Sequence, residues 1–247
     1  MASCWIALQF LTRLPVPAQL DYAAVQLGRS VAWYPLIGLL LGGILFSAAW
    51  LLQGSEPLLV AVLLLTLWVA LTGALHLDGL ADSADAWVGG LGDRERTLAI
   101  MKDPASGPIG VVALVLVLLL KFAALVTLIE AGEMLILLLL PALARSATAM
   151  LFVTTPYVRA GGIGEALSQH APRATVVLGL ALLALLAVIL LQWLGALLLL
   201  ALTSGWLLLR QVAMRRLGGF TGDVAGAQLE LLECLGLLVI ALLGPQL

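Results

Sequence analysis

Long apolar runs with almost no charge inside them dominate the chain, and they exclude a water-soluble fold. The runs are 31–52, 58–77, 110–129, 134–153, 174–191, 194–209 and 228–243. A helix that crosses a bilayer needs roughly 20 mostly apolar residues. Inside hydrocarbon such a run must satisfy its own backbone hydrogen bonds, so these segments are helices. Of the 247 residues, 63% are hydrophobic and only 11% charged, whereas soluble chains carry about a quarter charged residues. The expected fold is therefore all-α, a polytopic integral membrane bundle of about seven helices in a single domain spanning residues 1–247. Only Gln192, Trp193 and Gly195 separate the fifth and sixth runs, and Glu230 and Glu233 in the last run suggest that its helix starts late.

The loops orient the bundle. Arg13 and Arg29 precede the first run, and Arg94, Arg96 and Lys102 lie between the second and third. Arg159 and Arg173 follow the fourth, and Arg210, Arg215 and Arg216 follow the sixth. The turns at Ser55-Glu56, Ala131-Gly132 and Gln192 carry no basic residue. By the positive-inside rule the N-terminus and the long loops are cytoplasmic. The first residues do not read as a secretory signal, because the apolar stretch from Trp5 to Leu11 is short and no basic residue precedes it. Trp5, Leu8 and Leu11 share a helical stripe, which fits an interfacial helix or, equally, a frayed amphipathic tail. The net charge of −2 gives no sign of nucleic acid, and Cys4 and Cys234 have no metal-type spacing.

Three aspartates mark the candidate chemistry. Asp78, Asp82 and Asp85 are four and three residues apart in His76-Leu77-Asp78-Gly79-Leu80-Ala81-Asp82-Ser83-Ala84-Asp85. On a helix these offsets share one face. Carboxylates this close repel one another, and a hard cation such as Mg²⁺ is the usual remedy. The alternative is a solvated polar helix end, but no lysine or arginine stands within reach to make it one.

Beyond the stripe, Gly89-Gly90-Leu91-Gly92 breaks the helix, and Asp93 can cap a short cytoplasmic helix that ends before Lys102-Asp103-Pro104. The turn from Ala105 to Gly110 can present backbone amides to an anion such as a phosphate. Arg94, Arg96 and Lys102 supply positive charge nearby, although Arg94 and Arg96 also read as surface pairs with Asp93 and Glu95. A second polar, glycine-rich cluster from Arg216 to Gln228 enters the last run, and Asp223, Ala227 and Glu230 share one helical face. It reads either as additional ligands or as a packing seam capped by Asp223.

Within the spans, Lys121 requires a carboxylate or water partner, and Arg145 can snorkel or meet a phosphate. His76 is a lesser candidate for ligand or base, and His170 has no constellation around it. Aspartates holding Mg²⁺ beside basic residues suit phosphoryl-type transfer on an amphiphilic substrate.

The same segments resemble the cobalamin synthase family, also called adenosylcobinamide-GDP ribazoletransferases. The likeness lies in His76 to Asp85, Asp93-Arg94-Glu95-Arg96 and Ile100-Met101-Lys102-Asp103. It extends to Phe10-Leu11-Thr12-Arg13-Leu14-Pro15-Val16-Pro17, Trp33 to Gly38 and Gly219-Phe220-Thr221-Gly222-Asp223. The resemblance implies an enzyme of the bacterial inner membrane that acts with Mg²⁺. A ribose hydroxyl of α-ribazole, or of its 5′-phosphate, attacks adenosylcobinamide-GDP and GMP leaves. Chemistry then assigns Asp78, Asp82 and Asp85 as metal ligands and catalytic groups. Arg94, Arg96, Lys102 and Arg13 would contact substrate, with Asp103 and Asp223 as secondary acidic members. Partners are these substrates and the bilayer, with no nucleic acid, and oligomerisation is left open.

Two other readings compete. CDP-alcohol phosphotransferases also carry aspartates at the ends of membrane helices, but Asp82 and Ser83 stand where their motif has Ala-Arg. A cation-coupled transporter would be motivated by Lys121 and Arg145, yet both acidic clusters lie at cytoplasmic ends, where an inverted repeat would separate them.

Overall fold

The computed structural model describes residues 2–17 and 19–244, and the regular structure within them is helical. The helices are α1 (Ala2–Leu11), α2 (Ala24–Ser30), α3 (Tyr34–Leu51), α4 (Pro57–Thr72), α5 (Leu75–Gly89) and α6 (Arg94–Ile100). They continue with α7 (Pro108–Ala131), α8 (Leu135–Thr154), α9 (Ile163–His170), α10 (Arg173–Leu217) and α11 (Gly222–Leu243). Ile6, Ala7, Leu8 and Leu11 of α1 are buried, and α1 packs on α2 and α3, which rules out the frayed tail.

The second apolar run, 58–77, does not form one helix. The Glu56 side chain caps α4 by accepting from Leu59 N–H at 3.1 Å, with Pro57 in the first turn. α4 then stops at Thr72, because Gly73 (φ 63°) and Ala74 (φ 57°) are both left-handed. This corner turns the chain by 87° into α5. Hydrophobicity continues through Leu77 and so gave no sign of the break. Arg13 fastens the corner: its N–H donates to Leu71 C=O at 2.7 Å, and its side chain lies where a Cβ on Gly73 would sit. Consequently α5 and its aspartates run along a face of the bundle rather than extending a span.

Among the described residues, five helices are long and apolar enough to cross a membrane, and the apolar α4, which leads into the bend, brings the number to six. α10 adds one more crossing. Its 45 residues are interrupted at Gln192 (φ 53°, ψ −128°), and Gly195 beyond the break packs on the Ala187 carbonyl before it. The two arms therefore fold back on each other, and Leu180 faces the same small cavity as Leu199 and Leu202. Counted this way, the expected seven crossings are present. The last helix begins earlier than expected, at Gly222, where Thr221 Oγ1 caps Val224 N–H at 3.3 Å. Glu230 and Glu233 do not delay it, because both are neutralised by partners.

Close helix approach relies on small residues. Gly38 and Gly42, four apart on α3, meet the backbone of Leu138, Pro141 and Ala142 on α8, the arrangement favoured where apolar burial alone cannot drive association. Gly79 of α5 likewise meets Asp223 of α11, and Gly226 of α11 meets His76.

A buried ionic network ties four helices. Lys121 of α7 contacts Glu230 at 2.5 Å and Glu233 at 2.8 Å, both on α11. Glu233 uses its other oxygen to bind Arg145 of α8 at 2.8 Å, and Arg145 also donates to Pro141 C=O at 3.0 Å. Lys121 lies 5.0 Å from the centre of the Trp68 ring on α4. Two cations and two anions cancel. Lys121 thus has the carboxylate its position requires, whereas Arg145 is fully buried and neither snorkels nor reaches a phosphate.

Removing one partner strands charge in the interior, at a cost of about 3–5 kcal/mol. Glu233→Leu should therefore lower the melting temperature in detergent much more than Glu230→Gln does, since Lys121 keeps Glu233 in the second variant. Equal melting temperatures for the two variants would contradict the network as described.

Candidate active site

The site forms where α5 and α11 cross. Because Gly79 and Gly226 bring the two backbones together, Asp78 of α5 and Asp223 of α11 line one cavity of about 330 Å³. The loop after α8 completes it. Val158 N–H donates to Phe220 C=O and Phe220 N–H to Pro156 C=O, each at 3.0 Å, holding this loop beside the start of α11. That register brings Arg159 Nη2 to 2.7 Å from Asp223 Oδ2.

One part of the cavity is therefore ionic, with Asp78, Asp223 and Arg159. The other is aromatic, with Phe10, Tyr34, Phe152 and Tyr157. Edge-to-face contacts run from Tyr34 to Phe152, on to Phe220 and then to Tyr157, with centroids 6.2, 5.0 and 5.3 Å apart. His76 also lines the cavity. It is buried, and its Nδ1 has no hydrogen-bond partner.

The three sequence-identified aspartates have different environments. Asp78 is exposed at the cavity. Asp82 is half-buried, and its pKa is pushed up to about 6, first by burial and then by the charges of Asp78, Asp223 and Asp85. This is the electrostatic tension expected of carboxylates that share a site. Asp85 is already engaged: Oδ2 accepts from Gly107 N–H at 2.7 Å and Oδ1 from Gly110 N–H at 2.9 Å. The amides at the start of α7, expected to meet a phosphate, are thus met by a carboxylate of the chain itself. A Cβ at Gly107 or Gly110 would collide with that carboxylate, which accounts for the glycines.

Among the described residues, no three His, Cys, Asp or Glu side chains close around an ion. Mg²⁺ does not require such a cage, since it keeps several waters and is bound by one or two carboxylates plus substrate phosphates. Asp78 and Asp82, adjacent on one face and mutually repelling, fit that requirement.

The expected basic contacts lie elsewhere. Arg94, Arg96 and Lys102 are exposed and do not line the cavity. Arg94 Nε donates to Leu217 C=O at 2.8 Å, tying α6 to α10. Asp93 caps α6 as expected, accepting from Arg96 N–H at 2.7 Å. Asp103 is exposed and accepts from Ala105 N–H at 3.0 Å within its own turn, and Arg13 serves the α4–α5 corner. Glu230, grouped with Asp223 in the sequence, belongs instead to the buried network. The cation the cavity does hold is Arg159, which the sequence presented only as a loop charge.

These features define a polytopic membrane enzyme whose acidic and arginine-bearing site lies beside an aromatic cavity. The chain belongs to the cobalamin-5-phosphate synthase family, whose model matches residues 3–241. It is 58% identical over 244 residues to the adenosylcobinamide-GDP ribazoletransferase of Pseudomonas paraeruginosa, covering 98% of each chain. It is 59% identical to the enzyme of that name from Pseudomonas fluorescens, covering 98% of this chain and 100% of the relative. No solved structure gives a significant match.

Asp85→Ala should cost about 1–2 kcal/mol in thermal unfolding, the usual range for a lost helix cap, while Asp78→Ala, which relieves the repulsion on Asp82, should not lower stability. Asp82 predicts a pH effect in the metal-free protein. Its folded pKa of about 6 lies above the ordinary aspartate value of 3.8, so between these values the folded state binds more protons than the unfolded state. This contribution therefore favours the folded state at low pH and is lost as pH rises through about 6. The melting-temperature change between pH 5 and 7.5 should then differ between wild type and Asp82→Asn by the loss of this component, and identical profiles would exclude it.

Proposed function

We propose that the chain is an adenosylcobinamide-GDP ribazoletransferase of the bacterial inner membrane, with its N-terminus and active site on the cytoplasmic side. The observation that carries the reading is the convergence of Asp78, Asp223 and Arg159 on one cavity, beside Asp82, in a chain of this family. Loops that carry basic residues alternate along the chain with turns that carry none, which supports the cytoplasmic placement.

A ribose hydroxyl of α-ribazole, or of its 5′-phosphate, attacks the phosphorus that carries adenosylcobinamide. The bond from that phosphorus to the GMP oxygen breaks, and a phosphodiester remains. Asp78 and Asp82 would hold Mg²⁺, which when bound neutralises charge on the diphosphate oxygens. Arg159, held in place by Asp223, presents its guanidinium to the same phosphates; the planar donor array suits them. A carboxylate oxygen of this pair that is not used to hold the ion would be placed to accept the hydroxyl proton. Arg94, Arg96 and Lys102 then contribute positive charge at the approach to the site rather than contacts within the cavity. Lys121 and Arg145, which prompted the transport reading, turn inward to carboxylates and do not line the cavity.

Purified protein in lipid, given adenosylcobinamide-GDP, α-ribazole and Mg²⁺, should release GMP together with the phosphodiester-linked corrinoid. Asp82→Asn and Arg159→Ala should each lower kcat/KM at least about a hundredfold while keeping the wild-type circular dichroism spectrum. Normal turnover by Asp82→Asn would remove that residue from the mechanism.

A further inference from the structure

The helix that carries the aspartates has a second face. Asp78, Asp82 and Asp85 lie on one side of α5, and Leu80, Ala84 and Trp87 lie on the opposite side. α5 packs on α7 and α11, but a groove of about 250 Å³ separates this second face from the later arm of α10. Leu209 and Val212 of α10 and Val224 and Leu231 of α11 complete its wall. Ser83 and Gln228 also border it, but Ser83 Oγ and Gln228 Nε2 are enclosed in the wall. The open surface is therefore hydrocarbon, and a polar ligand entering it would lose its hydrogen bonds to water without replacement.

The groove opens sideways. Val212 and Leu208, one turn apart on α10, are 39% and 61% exposed, and on a membrane-crossing helix such a face meets lipid. One end of the groove is cationic. Arg216, one turn beyond Val212 on the same face, donates from Nη2 to Trp87 C=O at 2.8 Å and from Nε to Thr97 Oγ1 at 3.0 Å. Its Nη1 makes no hydrogen bond among the described residues, and neither Arg216 nor the exposed Arg215 beside it pairs with a carboxylate there. Trp87 both lines the groove and holds Arg216, and tryptophan is the residue type enriched at the membrane–water boundary.

We infer that this groove binds an anionic glycerophospholipid. One acyl chain lies between α5, α10 and α11, and the phosphate meets Arg216 and Arg215 at the rim. The occupant is a lipid rather than a soluble anion, because the free cation stands at the end of an apolar slot that opens to the bilayer. Charge then selects among lipids: each arginine near an anionic head group adds attraction that a zwitterionic one largely lacks. A chain seated here fills the space behind the helix that carries Asp78 and Asp82. It adds packing to that helix without entering the cavity in which the carboxylates act.

Photolabelling of the full chain in phosphatidylcholine nanodiscs tests the site, using phosphatidylglycerol with a photoreactive group on one acyl chain. Irradiation should label the peptides that contain Trp87 and Val212. A phosphatidylcholine probe with the same reactive chain should label them about fivefold less at low salt, and high salt should narrow that difference. Arg216→Gln should bring the two probes to equal labelling. Val212→Trp, a substitution at an exposed position that fills the groove, should abolish labelling of Trp87 by either probe while keeping the wild-type melting temperature in detergent. If Arg216→Gln does not fold, the salt dependence and Val212→Trp decide the matter. Equal labelling of the wild type by the two probes overturns the inference, as does labelling of Trp87 that Val212→Trp leaves intact.

Discussion

Four buried charged side chains set the arrangement of the bundle. Lys121, Glu230, Glu233 and Arg145 come from three helices, and Trp68 of a fourth lies against Lys121. Each charge alone would be expensive in the membrane interior; together they cancel and share short hydrogen bonds. Apolar contacts tolerate a sliding helix, because one leucine replaces another at little cost. A carboxylate that must meet both a lysine and an arginine does not. Glu233 therefore fixes the register of α11 against α7 and α8, and so the height at which Asp223 emerges at the start of the same helix.

From that register the site follows with few further elements. Gly79 and Gly226 allow α5 to cross α11 at backbone contact, so Asp78 arrives beside Asp223. The left-handed pair Gly73 and Ala74 lays α5 across the bundle instead of continuing α4. Asp85 then anchors the far part of α5 to the first amides of α7. The acidic helix is fastened at both ends by groups that are not themselves at the cavity. Rigidity of this kind is needed if two carboxylates are to stay adjacent against their repulsion.

Much of this was legible in the sequence, and the misses have physical causes. Composition and run length identify a helical membrane protein, and the 78, 82, 85 spacing identifies the acidic face, because both depend on local periodicity. Gly73 was invisible as a corner, since the apolar run continues past it and hydropathy does not sense φ. Arg159 has no local signal in the sequence, because its role depends on a backbone pairing between residues 156–158 and 220. The grouping of Glu230 with Asp223 failed for a related reason: the two share a helix face, but they lie two turns apart in depth and face different partners. Asp85 shows the limit of spacing alone. It belongs to the stripe by periodicity, yet its two oxygens are directed to another helix.

The raised pKa of Asp82 gives the stripe its meaning. A stripe built only to end a helix in water would place a basic residue near each carboxylate, and selection for stability would favour that change. Here the cation Arg159 is bound to Asp223 at 2.7 Å, and Asp82 is left partly buried and under the added repulsion of Asp78, Asp223 and Asp85. Repulsion of this kind destabilises the protein when nothing is bound, and a ligand that brings positive charge to these carboxylates relieves it. The unfavourable energy of the empty site thus becomes binding energy for a cation and the phosphates it accompanies. The buried network can support that arrangement because it holds α11 in place from below, without adding a compensating charge at the site.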